Sequence, residues 1–424
     1  MQVKNTIVLA QNLPNLMAHT IEQTGDRNMT TSRSAVFTSP VRTAIGTFGG
    51  SLKEIAAPDL GSAVIKAAFE HAGLRPDEVG TVAMGNVIQA GVKMNPGRQA
   101  AIRAGLPVTV PAMTVNRVCG SGAQAIVSAA QEILLGAVDV AMAGGMENMD
   151  LAPYLVSRGR WGYRMGDGQL YDSMLRDGLN DAFSDEASGW HTEDLVRAFQ
   201  IDRDAQDQWA LRSQQRFASA QAAGKFKDEI VPIEVPGRKG TITFDRDEHN
   251  RPKTTLEALA ALKPAFRPDG TITAGNAPGI NSGAAAMVLT DRQWAEARGL
   301  APMARLVSYG IAAVEPSMFG LGPIPAFRQA LERAAWKLGD VERIEINEAF
   351  AAIAIVVTRE LGLPQDIVNV EGGAIAHGHP IGATGAVLVT RLIHSMRRDG
   401  LRRGIVTLCI GGGQGIALAV EVIS

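Results

Sequence analysis

The chain has 424 residues, 46% of them hydrophobic, and its 41 basic and 43 acidic side chains leave a net charge of −2. That length exceeds one ordinary core, so two or three packed units are expected, and the near-cancelled charge excludes a global field drawing the protein to nucleic acid or an acidic membrane. The cysteines are Cys119 and Cys409 with no C-x-x-C pair, which excludes a disulfide scaffold and a four-thiolate zinc site and fits a reduced, cytoplasmic compartment.

Residues 1–28 lack a signal-peptide core, and Glu22 and Asp26 oppose a transit peptide. Met29 precedes a strand pattern over 34–39, so residues 1–32 read as an extension or a misplaced start, with a functional segment as the alternative. A helix is expected over 59–72, where Leu60, Val64, Ala68 and Ala72 share a face and Gly73 fits the stop. Strands follow at 81–84 and 113–115, then a helix at 121–135 and a strand at 138–143 that ends in Gly144-Gly145. Residues 150–272 are richer in charge, Trp and Arg and read as an insertion. It holds an amphipathic helix over 202–223, with Asp202 as N-cap and Gly224 as stop. Such an insertion carries specificity or assembly contacts, or merely decorates the surface.

The second half repeats the order: a helix at 326–338 stopped by Gly339, strands at 344–346 and 368–370, a helix at 385–396, and a strand at 405–410 ending in Gly411-Gly412. Ala349 to Val357 is the longest apolar run, shorter than the roughly 18 residues a membrane span needs, and reads as core. Val115-Asn116 leads through a Gly-rich turn to Gly122-Ala123; Val368-Asn369 leads likewise to Gly385-Ala386. The expectation is an α/β protein made of two copies of one unit, 33–295 with the insertion and 296–424, related by a pseudo-twofold axis.

Cys119 stands in Asn116-Arg-Val-Cys119-Gly-Ser-Gly122. A strand runs in, small residues follow and a helix begins, so the thiol faces free N–H groups and a positive helix end that favour thiolate. Gly120, Ser121 and Gly122 would let a substrate approach the backbone. Buried filler is the commoner fate of a free cysteine, but filler needs no Gly-rich elbow, and a nucleophile is the preferred reading. His379, in His377-Gly-His379-Pro-Ile-Gly382-Ala-Thr-Gly385, occupies the matching turn and could take the Cys119 proton. His377 competes for that role. His379 is preferred because it lies nearer the helix start beside Pro380, leaving His377 a neighbour or solvent-facing.

Cys409 precedes Gly411-Gly-Gly413-Gln-Gly415. A dinucleotide fingerprint is excluded because the few residues after Gly415 read as a strand and no βαβ unit can form. The turn instead offers backbone N–H groups to an oxyanion; alone, Cys409 reads as core. Asn347, in Asn347-Glu-Ala-Phe350, follows a strand end that points to the usual ligand edge, with a plain turn role as the alternative.

Together these four elements resemble the thiolase family, whose signatures are N-x-x-C-G-S-G, N-E-A-F, G-H-P and a terminal C-x-G-G-G-Q-G. The resemblance covers residues 33–424, including Gly144-Gly-Met-Glu-Asn148 and Leu262-Lys-Pro-Ala-Phe266, and is closest to the biosynthetic acetyl-CoA acetyltransferase type. It implies a layered αβαβα fold with an inserted loop domain, and reversible Claisen condensation of acetyl-CoA with acyl-CoA to a 3-ketoacyl-CoA. Cys119 would carry the acyl group, His379 act as its base, and Cys409 deprotonate the second acetyl-CoA. The N–H groups of Cys119 and Gly411 would serve one oxyanion, His379 and a water held by Asn347 the other. The insertion would cover coenzyme A, with Arg251 at the nucleotide end, Leu179, Phe266 and Ala274 along the pantetheine, and Phe319, Ala349 and Phe350 near the thioester. Coenzyme A thioesters would be substrates, with no other cofactor, no metal, no nucleic acid and no membrane, in a homodimer or homotetramer.

Departures from the acetyl-specific pattern are Ala187-Ser188-Gly189 where relatives carry His-Met-Gly, Pro278 in place of Ser, and Ser282 in place of Asp, with His191 nearby but off register. Losing the Met widens the acyl pocket, so chains longer than acetoacetyl are expected to be accepted, with weaker coenzyme A binding as the conservative reading. A decarboxylating ketoacyl synthase is opposed by Cys409, which that class replaces with histidine. A non-catalytic CoA-ester binder is opposed by the intact Cys, His, Asn, Cys set.

Overall fold

The computed structural model describes residues 33–237 and 240–423, so the expected extension at 1–32 lies outside the described residues. In chain order the first half gives β1 (Ala35–Thr43), α1 (Ala57–His71), β2 (Thr81–Gly85), α2 (Pro96–Arg103), β3 (Ala112–Val115), α3 (Ser121–Leu134) and β4 (Val140–Asn148). The inserted segment holds α4 (Ser188–Ala198) and α5 (Arg203–Ala222), after which β5 (Asn281–Asp291) completes the half. The second half gives β6 (Ala304–Ala313), α6 (Pro323–Ala334), β7 (Arg343–Ile346), α7 (Ala351–Glu360), α8 (Thr384–Arg398), β8 (Arg403–Ile410) and β9 (Gln414–Val422).

The strands of the first half run in the order β3-β2-β4-β5-β1, with β2 parallel to β3 and β4, and β5 antiparallel to β4 and β1. In the second, β7-β8-β9-β6 repeats that order and those directions, and Val368 bridges Ile344 in parallel where β3 stands in the first. Two copies of one unit are therefore present, joined where β1 pairs β6. Helices α3 and α8 form the central layer, packed with residues such as Ile126, Leu388 and Val406 between the sheets. Helix α1 covers the outer face of the first sheet and α6 and α7 that of the second, completing the αβαβα layering. Both β4 and β5 are buried along their whole length, as strands covered by helices on both faces must be.

Three sequence expectations need correction. The strand expected to end at Gly144-Gly145 runs on to Asn148. Those glycines are sites of close approach: a Cβ on Gly144 would meet the Ala285 carbonyl at 2.1 Å, and one on Gly145 the Gly382 carbonyl at 2.2 Å. The helix expected over 326–338 is Pro323–Ala334, closed by Ala335 at φ 53° rather than by Gly339. The strand expected at 368–370 is reduced to one bridge at Val368, because Asn369 turns the chain at φ 46°.

Helix α5 starts at Asp202, whose side chain accepts from the Ala205 N–H at 2.7 Å, and its chain reverses at Gly224 with φ +70°. Its inward face mixes Trp209, Ala210 and Phe217 with Gln206, Ser213 and Gln214, so it docks through hydrogen bonds as well as apolar contact. The inserted segment is fastened to the core by Arg42 of β1, wholly buried, which forks onto Asp247 at 2.8 and 3.0 Å and donates to Glu229 at 2.8 Å. Among the described residues, no helix is long and apolar enough to cross a membrane.

Candidate active site

The central helices α3 and α8 begin back to back. A Cβ on Gly122 would meet the Ala386 nitrogen at 2.8 Å, and one on Gly385 the Ala123 nitrogen at 2.4 Å. The turn before each helix brings Cys119 and His379 to one place. Gly122, expected to admit a substrate, is thus filled by the opposite helix, and Gly120 by Ile410 at 2.5 Å from its would-be Cβ. Ser121 holds the elbow, donating to the Val118 carbonyl at 2.6 Å and accepting from the Arg117 N–H at 2.8 Å. Val118 sits at φ 44°, a conformation costly for a β-branched residue and one that aims the next side chain out of the strand.

A cavity of about 280 Å3 ends at this point. Cys119, His379 and Gly411 line its inner end; Phe319, Ala349 and Phe350 line its wall, with Leu179 and Phe266 from the inserted region. Phe266 meets Phe350 edge-on, ring centroids 5.8 Å apart. A wider cleft of about 500 Å3 adjoins it at Ala277 and carries Arg251, Lys253, His249 and Ala274. Two of the expected coenzyme A residues, Arg251 and Ala274, therefore lie in this outer, basic cleft, and the other five along the inner tunnel.

Asn347, fully buried after β7, faces His379, its Nδ2 lying 3.3 Å from Nε2. On the far side of the ring, Nδ1 is 2.7 Å from the Thr384 hydroxyl, which donates to the Pro380 carbonyl at 2.9 Å. A hydroxyl whose proton is already committed accepts, so Nδ1 carries the ring proton and Nε2 presents a lone pair toward Asn347. Burial pushes the His379 imidazole down to about 4, so it is neutral near pH 7. His377, the competitor, is not solvent-facing: it is fully buried against Phe217, and neither ring nitrogen has a hydrogen-bond partner.

The thiol differs from expectation. Burial pushes Cys119 up to about 11, although the N–H groups of Gly411 and of Cys119 itself point at the sulfur and pull the other way. The resting side chain is a thiol, since the tunnel's desolvation outweighs the helix end. Burial likewise pushes Cys409, wholly enclosed, well above its ordinary range, and the adjacent Cys119 sulfur pushes it further. A thiol and a neutral imidazole thus face one tunnel end, with the Asn347 carboxamide against the imidazole and the Cys409 thiol enclosed near the first sulfur. Both cysteines are free.

Besides Thr384, three supports of this arrangement were not singled out from sequence. Asn281 accepts from the His379 N–H at 2.9 Å. Glu147 joins the two halves, accepting from Val87, Ile88 and Gly382 N–H groups and from the Asn86 amide. Burial pushes its carboxyl up to about 7, opposed by those N–H donors. Glu348 anchors the turn that bears Asn347, accepting from Trp209 and Ser213 of α5 and from Asn369 and the Ile375 N–H. Thr384 and Glu147 lie inside the turn and strand motifs that carry the resemblance, and their spacing from His379 and Asn148 was the available signal.

The sequence matches the family model described as "Thiolase, N-terminal domain" over residues 35–293 and the one described as "Thiolase, C-terminal domain" over residues 300–422. An acetyl-CoA acetyltransferase of Chromobacterium violaceum is 52% identical over 381 residues, 90% of this chain and 97% of that protein. The β-ketothiolase BktB of Cupriavidus necator is 51% identical over 392 residues, 92% of this chain and 99% of that protein. The crystal structure of the Bacillus anthracis acetyl-CoA acetyltransferase superimposes with a TM-score of 0.91 at 44% identity, covering 92% of this chain and 99% of that one.

Proposed function

The chain belongs to the thiolase family, and from that premise we propose that it is an acyltransferase interconverting two acyl-CoA esters with a 3-ketoacyl-CoA and free coenzyme A. The observation that carries the reading is the meeting of Cys119 and His379 at the end of one apolar tunnel that adjoins a basic cleft, with Asn347 packed against the imidazole and Cys409 enclosed near the Cys119 sulfur. The cleft's Arg251 and Lys253 suit the phosphates of coenzyme A, and the narrow tunnel suits its pantetheine.

The condensation runs through a thioester on Cys119. Its proton passes to His379 Nε2 as the sulfur attacks the acyl carbon, and the resulting oxyanion is met by neutral donors. The tetrahedral adduct collapses, and the departing CoA thiolate takes the Cys409 proton. Cys409, now a thiolate, removes a proton from the methyl carbon of a second acetyl-CoA. The carbanion attacks the acyl group on Cys119, whose expelled sulfur recovers its proton from His379. Each group ends as it began, and the reverse sequence is thiolytic cleavage. The N–H groups of Cys119 and Gly411 serve one oxyanion; His379 and a water held by Asn347 serve the other. Donors of this kind are effective because they are oriented before reaction.

A reading with acyl groups longer than acetyl is favoured by Ala187 and Ser188, small residues on the tunnel wall. A cytoplasmic homodimer or homotetramer belongs to the same proposal: Leu151, Tyr154, Trp161 and Met165 are exposed apolar side chains on one inserted stretch, suited to an assembly contact. The test is mass spectrometry after incubation with acetyl-CoA. An adduct of about 42 Da on Cys119, absent in Cys119→Ala, is expected of covalent catalysis. No adduct on a folded enzyme would overturn the mechanism.

A further inference from the structure

The cations of the outer cleft stand on a stretch without regular structure. Arg251 and Lys253 are exposed, and among the described residues neither charged group has an ion-pair partner. A cation on a loose loop holds a ligand poorly, because binding must first order the backbone beneath it. This loop is tied down at three points. His249 Nε2 accepts from the Gly279 N–H at 3.2 Å, which joins the start of the loop to the tunnel wall. Thr254 donates its N–H and its hydroxyl to the Arg251 carbonyl at 3.1 and 2.8 Å. Between them, Gln214 of α5 grips the loop itself.

Gln214 Oε1 accepts from the Arg251 N–H and from Asn250 Nδ2, both at 2.8 Å, and the Gln214 backbone carbonyl accepts from Nδ2 again at 3.1 Å. Its Nε2 donates to the Ile375 carbonyl at 2.9 Å. Donors on one side and an acceptor on the other fix which way the amide points. Gln214 is 5% exposed, and an amide buried on a helix's inner face is costly unless paired. Docking of α5 does not require it. Trp209 and Ser213 donate to Glu348 at 3.0 and 2.7 Å, Arg216 donates to the Val368 carbonyl at 2.7 Å, and Phe217 is fully buried. An apolar side chain at 214 would seat the helix as well. What the glutamine adds is a rigid support for the backbone of Arg251.

We propose that Gln214 is a positioning residue for the nucleotide end of coenzyme A, acting through Arg251, whose main chain it clamps so that the guanidinium meets the ligand from a fixed base. This rests on the acyltransferase reading and deepens it. The test is thiolysis kinetics on acetoacetyl-CoA and on acetoacetyl-pantetheine, which lacks the nucleotide. Gln214→Met, close in size, should raise KM for the CoA ester about tenfold with kcat within about twofold, the mark of lost uniform binding. The pantetheine ester should keep its kcat/KM within about twofold, since the clamp does not reach it. In an Arg251→Ala background, Gln214→Met should add less than about twofold, because residues that act as one unit are not additive. A lowered kcat at unchanged KM, an equal loss on both esters, or an effect that multiplies in full with Arg251→Ala would each overturn the proposal. Should Gln214→Met not fold, Asn250→Ala loosens the same clamp from the loop side and should raise KM about threefold; an unchanged KM there would overturn it too. If the wild type does not cleave acetoacetyl-CoA at all, the acyltransferase reading itself falls.

Discussion

Alkylation of the resting enzyme reads the charge state of Cys119, the proposed nucleophile. With Cys119 pushed up to about 11, its thiolate fraction at pH 7 is about one in ten thousand. Moving the proton to His379, held down to about 4, spans about seven pH units, on the order of 10 kcal/mol before the attraction between the new charges offsets part of it. Neither group is therefore ionised until a substrate enters. Iodoacetamide reacts with thiolate, so labelling of Cys119 should accelerate nearly tenfold per pH unit, about 100-fold from pH 7 to 9. Intact-mass time courses from pH 6 to 10, with Cys119→Ala as the site control, measure it; Cys409, wholly enclosed, should stay unlabelled. A labelling rate that is flat between pH 6 and 9 would mean that a thiolate–imidazolium pair already exists, and the desolvation argument would be wrong.

Asn347→Ala removes the amide beside His379 Nε2 and should lower kcat for acetoacetyl-CoA thiolysis about 100- to 1000-fold with far-ultraviolet circular dichroism unchanged; a loss under about tenfold would deny it a role at the oxyanion. Arg42→Met strands the Asp247 and Glu229 carboxylates in the interior and should cost about 3–5 kcal/mol in urea unfolding, while adding Asp247→Leu and Glu229→Leu should recover most of it. A single-variant change below about 1 kcal/mol would show that the inserted segment is held by other contacts.

The duplicated topology and the four chemical motifs were legible because local sequence carries them. Strand and helix periods, the turn glycines and the spacing around Cys119 and His379 do not depend on distant partners. What was illegible depends on neighbours far along the chain. Gly144 and Gly145 read as a strand end, and only the facing Ala285 and Gly382 backbones show why glycine is required inside one. Ala335 ends α6 in a left-handed conformation that composition does not mark. The elbow residue Cys119 has the local features of an acidified thiol, yet its tunnel is walled by Phe319, Phe350 and Ile381, and apolar surroundings decide the outcome. Likewise His377 and His379, two residues apart, differ in role because only the latter meets Asn347 and Thr384.

The back-to-back start of α3 and α8 also bears on how the protein is made. Cys119 leaves the ribosome early, but the imidazole, the second sulfur and the Gly411 amide arrive with the last stretch of chain. Until α8 docks at Gly122, the first half holds this thiol without the groups that face it in the finished fold, so closing the seam between the halves and completing the site are one event.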